Sequence, residues 1–309
     1  MNASIVARRP RALWRSRRIS AALVALLAAA FMPPPALAQQ ALERTWLEPL
    51  VTEDSFASNE ADVLPGWSRG GDGRTFSLTV ELEKKLSPST SLEAEGEWHQ
   101  QSPEGRAHDR TGFDDLETLL KRVLYLSPAH EFRLAAGIDS LWPAGDRQVE
   151  GQRSFLTGPM VMWAKGMGDL PHDPWLRWMR PIDIQGDAGY LFELSSSSGG
   201  DAFADAAFTY NLPYLAADIG AENVLWPLRN LAPFIEVNYS EVPTGRRGRT
   251  PAEFFITPGL SYFTGPYQFT LGSQVALDHA ASRQDYASVL GLVDINLSAI
   301  FPAIRWTPF

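Results

Sequence analysis

The 309-residue chain contains no cysteine. That excludes a disulfide framework, a thiolate metal site, an iron–sulfur cluster and a cysteine nucleophile. It has no H-E-x-x-H, no phosphate loop and no dinucleotide glycine pattern. Basic residues are scarce, 27 Lys and Arg against 36 Asp and Glu, so a nucleic-acid partner is not expected. Beyond the first 38 residues there is no run of 18 apolar residues, and the mean hydropathy of −0.16 is too low for a bundle of membrane helices. At 45% apolar and 20% charged residues, the chain is equally far from a disordered composition.

The first 38 residues read as a secretory leader. Arg8, Arg9, Arg11, Arg15, Arg17 and Arg18 form a basic start, and Ile19 to Met32 form an apolar stretch too short for a membrane span. Pro33–Pro35 break it, and Ala36-Leu37-Ala38 presents small residues for cleavage after Ala38. Removal leaves 271 residues and moves the net charge from −9 to −15, because the leader holds six arginines and no acid. The mature chain is then either soluble in an exported compartment or a barrel in an outer membrane.

Its period is two. Phe76, Leu78, Val80 and Leu82 alternate with Ser77, Thr79, Glu81 and Glu83. After a turn at Ser87-Pro88-Ser89, Leu92, Ala94, Gly96 and Trp98 alternate with Glu93, Glu95 and Glu97, completing a hairpin. The pattern returns at 131–142, 181–194 and 266–277, and more weakly at 114–126, 155–165, 202–212, 231–242, 253–263 and 286–297. With Thr45–Thr52 as a first strand, twelve are expected.

Three features favour a membrane barrel over a soluble sandwich. The strands are about 10–13 residues, matching a tilted span of about 9–11 rather than the usual 5–6. Aromatics sit near strand ends, at Trp98, Trp142, Trp163, Tyr190, Tyr262 and Tyr267, as in the two interfacial girdles of such barrels. Short connections (87–90, 127–130, 264–265) alternate with long polar ones (101–113, 143–154, 243–252, 279–285). The expected fold is therefore all-β: an antiparallel transmembrane barrel over 71–309 that contacts outer-membrane lipid. Residues 39–70 would be an extension, a lumen plug or the first strand. The terminal Phe309 resembles the signal by which a closing strand engages the barrel assembly machinery, although Thr307 and Arg305 stand where apolar residues are usual and Pro308 is awkward in a strand.

Gly112-Phe113-Asp114-Asp115-Leu116-Glu117 followed by Lys121, and Leu141-Trp142-Pro143-Ala144-Gly145-Asp146, resemble two motifs of one outer-membrane barrel family, with Ala144 where Thr is usual. That family is named for the MetA pathway of phenol degradation and is described as transporter-like. The resemblance covers roughly residues 75–200. It implies passage of small organic solutes and supplies no catalytic residue.

With lipid outside, the apolar face points outward, since a midplane Lys or Arg there costs about 2–4 kcal/mol. The lumen is then lined by Glu81, Glu83, Glu93, Glu95, Glu97, Glu117, Asp139, Asp183, Asp187, Glu193, Glu236 and Asp294, with Lys121 and Arg133 as basic partners. Such a lumen favours cations or neutral organic molecules. A structural barrel with a closed, salt-bridged interior is the alternative, and an outer-membrane enzyme the third reading. Glu93, Glu95 and Glu97 with Glu81 and Glu83 also have the spacing of oxygen ligands for a divalent cation. Asp278, His279, Ser282 and Ser288 are the one tempting catalytic grouping, Ser195–Ser198 reads as a flexible loop, and Arg246-Arg247-Gly248-Arg249 as a basic outer loop. No cofactor is implied.

Overall fold

The computed structural model describes residues 46–70, 73–104, 108–146, 154–194, 200–241, 252–279, 281–284 and 287–308. The leader, the Ser195–Ser198 run, the Arg246–Arg249 loop and Phe309 lie outside the described residues.

The strands are β1 (Glu60–Gly70), β2 (Gly73–Ser87), β3 (Thr90–Pro103), β4 (Arg110–Phe113), β5 (Leu116–Ser127), β6 (Phe132–Trp142), β7 (Leu156–Gly166), β8 (Ile182–Glu193), β9 (Gly200–Tyr210), β10 (Leu231–Glu241), β11 (Glu253–Thr264), β12 (Tyr267–Ala276) and β13 (Ala287–Asn296). Each pairs antiparallel with its neighbour, and β1 pairs with β13, so the sheet closes. β4 and β5 both pair with β3, at Trp98–Gln101 and at Thr90–Glu95. They are one wall strand interrupted at Asp114–Asp115. The result is a closed antiparallel barrel of twelve wall strands, which leaves no free sheet edge.

Twelve wall strands agree with the alternation, but the first is not at Thr45–Thr52. It is β1, where Ala61, Val63, Pro65 and Trp67 alternate with Glu60, Asp62, Leu64 and Gly66. Pro65 hides this strand in the sequence because proline lacks the ladder donor. The structure accommodates it by letting the ladder to β13 skip Leu64 and Pro65, opposite Gly291.

One rim carries tight turns: Pro88–Ser89, the 3-10 turn Pro128–His130, and Gly265–Pro266, where Gly265 has φ 58°. Two longer connections share this rim, 167–181 and 211–230. The second holds helix α1 (Leu212–Ile219), whose first turn is capped by Asn211 accepting from the Tyr214 amide at 2.9 Å. Arg177 and Arg180 both reach Asp218, at 3.3 and 3.5 Å, and tie the two connections together. Both β1 and β13 meet this rim, through Glu60 and Asn296. The opposite rim carries the remaining polar loops.

The chain does not end in a strand. After Asn296, Leu297–Ile300 and Pro302–Arg305 form short helical turns. Asn296 caps the first of these by accepting from the Ala299 amide, and Pro302 and Pro308 cannot extend a ladder. Lys84 pins the tail to β2 by donating to the carbonyls of Ile304 and Trp306, both at 2.8 Å. The alternation assigns no strand beyond residue 297, and the closing strand is β13, not the tail that bears the likeness at Phe309.

Candidate functional site

The outward face is apolar. Phe76, Leu78, Val80 and Leu82 of β2 and Phe269, Leu271 and Val275 of β12 are exposed. Aromatic pairs form two belts on it. Phe76–Trp98, Trp142–Phe155, Tyr190–Phe192 and Tyr239–Phe254 lie near the loop rim, and Tyr125–Phe132 and Tyr267–Phe269 near the turn rim. Trp163 and Tyr262 sit on the outward face of β7 and β11, toward the turn rim.

The inward face carries the charge. Strand register places Asp294, Asp62, Glu81, Glu95 and Glu117 directly opposite one another across β13, β1, β2, β3 and β5. A second row runs Glu60, Glu83 and Glu93, then Leu119 and Asp139. Facing like charges disfavour a sheet unless something compensates. Glu60, Asp62 and Glu81 bring carboxylate oxygens within 4.8 Å of one another. Farther round, Asp187 faces Asp205, and Asp183 and Glu236 are fully buried. Glu97, near the loop rim, lies beside His99, whose Nε2 is 3.1 Å from Asp114 Oδ2. Glu193 ends the inward row of β8, half-buried.

Lys121 is the main compensation. Its Nζ lies 2.8 Å from Glu53, in hydrogen-bond contact with Asp54, and 3.6 and 3.8 Å from Glu83 and Glu93. An ammonium thus stands among the carboxylates whose spacing suggested a divalent cation. Arg133 faces inward too, with its guanidinium 3.4 Å from the ring centre of Phe56.

Glu53, Asp54 and Phe56 belong to a segment, residues 46–59, that runs through the interior without regular structure. Many of its backbone groups pair with wall side chains rather than with a ladder. The amides of Leu50, Val51 and Thr52 donate to the Glu236 carboxylate at 2.7, 2.9 and 3.0 Å. The Glu53 amide donates to Asp187 and the Ser58 amide to Glu83. Gln268 accepts from the Glu48 amide and donates to its carbonyl, and Gln185 donates to the Leu47 carbonyl. Leu47 and Leu50 pack with Phe234 and Leu292. Leu50 rests on Gly272 of β12, where a Cβ would collide with it.

Among these acids lies an apolar patch contributed by β5, β6 and β7. Leu119, Ala135, Met160 and Met162 form one buried cluster against Phe203. The Phe203 ring lies against Gly189, where a Cβ would collide with it.

No protein-family model and no curated protein matches the chain. The fold is similar to that of an outer-membrane channel from Pseudomonas putida F1, with a TM-score of 0.54 at 12% identity over 81% of this chain and 99% of that one. The NanC porin gives 0.49 at 11% identity over 76% and 98%. The KdgM porin gives 0.45 at 11% identity over 76% and 98%. The first likeness establishes a shared barrel fold.

Between residues 46–59 and the loop rim lies a cavity of about 510 Å³. Leu50, Val51 and Glu53 contribute to one side of it, and Glu93, Glu95, Glu97, Glu117, Asp139, Asp187 and Asp205 line its wall. Glu60, Asp62, Asp205 and the acids of residues 46–59 are the interior groups that the alternation did not single out. β1 is broken by Pro65, β9 alternates weakly, and residues 46–59 have no period. At the loop rim, Asp278 accepts from the amides of Phe254 and Ala281. Ser282 Oγ donates to the His279 carbonyl, so this grouping shapes a loop.

Proposed function

We propose that the chain is an outer-membrane channel for small solutes, that its interior favours cations, and that its own residues 46–59 narrow it. The observation that carries this reading is the row of five carboxylates, Asp294, Asp62, Glu81, Glu95 and Glu117, across five consecutive strands. A partial ring of fixed negative charge on a low-dielectric wall draws in cations and repels anions, by the logic of acidic rings in cation channels. The apolar outward face and its two aromatic belts support lipid contact. The leader motif supports export, with cleavage after Ala38. The turn rim faces the periplasm in this reading, as short turns do in such barrels. The MetA-pathway family resemblance rests on the motifs at Gly112–Lys121 and Leu141–Asp146 and agrees with organic solutes. Engagement of the assembly machinery is assigned to β13.

The test is a planar-bilayer recording of the mature protein under a KCl gradient. The expected result is an opening with a reversal potential on the cation side, which collapses when Glu95 and Glu117 become Gln. An anion-side potential overturns the reading. A second reading, a structural barrel with a closed lumen, draws on the dense anchoring of residues 46–59. It is sustained if neither the full mature chain nor a chain lacking those residues conducts.

A further inference from the structure

The cavity above residues 46–59 has a mixed chemistry that the charge rows alone do not explain. Leu119, Met160, Leu191 and Phe203 form an apolar patch on it. Strand register puts carboxylates at both flanks of that patch. Asp139 is cross-strand to Leu119 on one side, and Asp187 and Asp205 follow Gly189 and Phe203 on the other. Asp139 and Asp187 are 4% and 3% exposed, and both line the cavity. One oxygen of each, Oδ1, accepts no hydrogen bond among the described residues. The other Asp187 oxygen is held by the Glu53 amide, which fixes the carboxylate in place.

Deeply placed carboxylate oxygens without donors cost free energy until a ligand supplies a donor or a charge. A bare divalent ion would answer the charge, but it demands six or more oxygen ligands and makes no use of Met160 and Phe203. A neutral apolar molecule would cover the patch and leave the carboxylates unanswered. A molecule with an ammonium at one end and an apolar, preferably aromatic, body at the other satisfies both. The thioether and the Phe face are good neighbours for a ring, and 510 Å³ lies within the usual range for small-molecule sites.

We propose that this cavity is a binding site for amphipathic organic cations of the arylalkylamine type, with the ammonium at Asp139 or Asp187 and the apolar body on Leu119, Met160 and Phe203. The proposal rests on the channel reading for its physiological sense, but binding is measurable without conduction.

The experiment is titration calorimetry on the mature protein in detergent, with folding verified by its unboiled gel shift. The probes are 2-phenylethylamine, 2-phenylethanol, phenylacetate and methylamine at neutral pH. The amine is expected to bind. The alcohol and methylamine should bind at least roughly tenfold more weakly, each lacking one half of the match, and phenylacetate should not bind. The Asp139→Asn, Asp187→Asn double variant should lose roughly tenfold for the amine. Because that variant can misfold, the four-probe series on the unchanged chain stands as an independent test. The site is overturned if the alcohol or methylamine matches the amine, or if folded protein binds no probe. Amine binding in a preparation that does not conduct sinks only the channel reading, and cation-selective conduction without amine binding sinks only the site.

Discussion

Two inward walls of one barrel are built on opposite terms. The inward positions of β13, β1, β2, β3 and β5 carry the two facing rows of carboxylates, compensated by Lys121 and by the amides of residues 46–59. On β7 the inward positions include Leu156, Met160, Met162 and Ala164, and Met160 and Met162 pack against Ala135 and Leu119. The central outward positions of β7, Pro159, Val161 and Trp163, are apolar too, so the middle of that strand reads as a continuous apolar run. A clean alternation therefore marks a wall with a polar interior, and its fading marks a wall whose interior is packed. The acidic wall is held by electrostatic pairing, which fails when one partner is lost. The apolar wall is held by area and volume, which fail in proportion to what is removed.

The sharpest way to break this contrast is Lys121→Met. It leaves Glu53, Asp54, Glu83 and Glu93 without their shared cation, and breaking such a buried pairing costs about 3–5 kcal/mol. The gel shift of unboiled protein should be lost at a lower temperature, and an unchanged profile would show that water already screens the cluster. On the other wall, Met162→Ala should cost about 2–3 kcal/mol by leaving a void, read from the same heat series.

A smaller effect tests the anchoring of residues 46–59. Glu236→Gln puts an NH2 group, which cannot accept, where one carboxylate oxygen stood, so at least one of the three consecutive amides loses its acceptor, at about 1–2 kcal/mol. Barrel stability should change little, while proteolysis near Val51 and channel openings both become several-fold more frequent. If only the heat profile moves, Glu236 supports the wall and not the segment.

The smallest effect lies at the turn rim. Burial acts to raise the Asp169 carboxyl, but hydrogen bonding and charge from Lys165 and a hydrogen bond from His130 outweigh it and hold the pKa below its ordinary value. A depressed folded-state pKa means a contribution that is complete above the unfolded value of about 4 and lost as pH falls through the folded one. Asp169→Asn should therefore narrow its gap to the unchanged protein only below about pH 4. A gap that narrows near neutrality would assign the effect to another group.

Much of this was legible in residues alone. The hairpin of β2 and β3 follows from Phe76–Leu82 against Ser77–Glu83, and eleven of the twelve wall strands follow from the same alternation repeated. β1 was not legible, because Pro65 and Gly66 interrupt its pattern and the accommodation lies across the barrel at Gly291. The tail beyond residue 297 was not legible either: its single terminal aromatic resembles a closing strand, but Asn296 and Pro302 lead the chain into short helical turns at the turn rim.

By itself the sequence determined which face of the alternating strands is apolar and which carries acid, because side chains alternate with period two. Only the tertiary structure decided that Lys121 gathers acids from three elements, that Glu236 catches three amides some 184–186 positions away, and that Phe203 lies on Gly189 beside Asp187. Those contacts arise when the sheet closes on itself, and closure brings together residues that no local period relates.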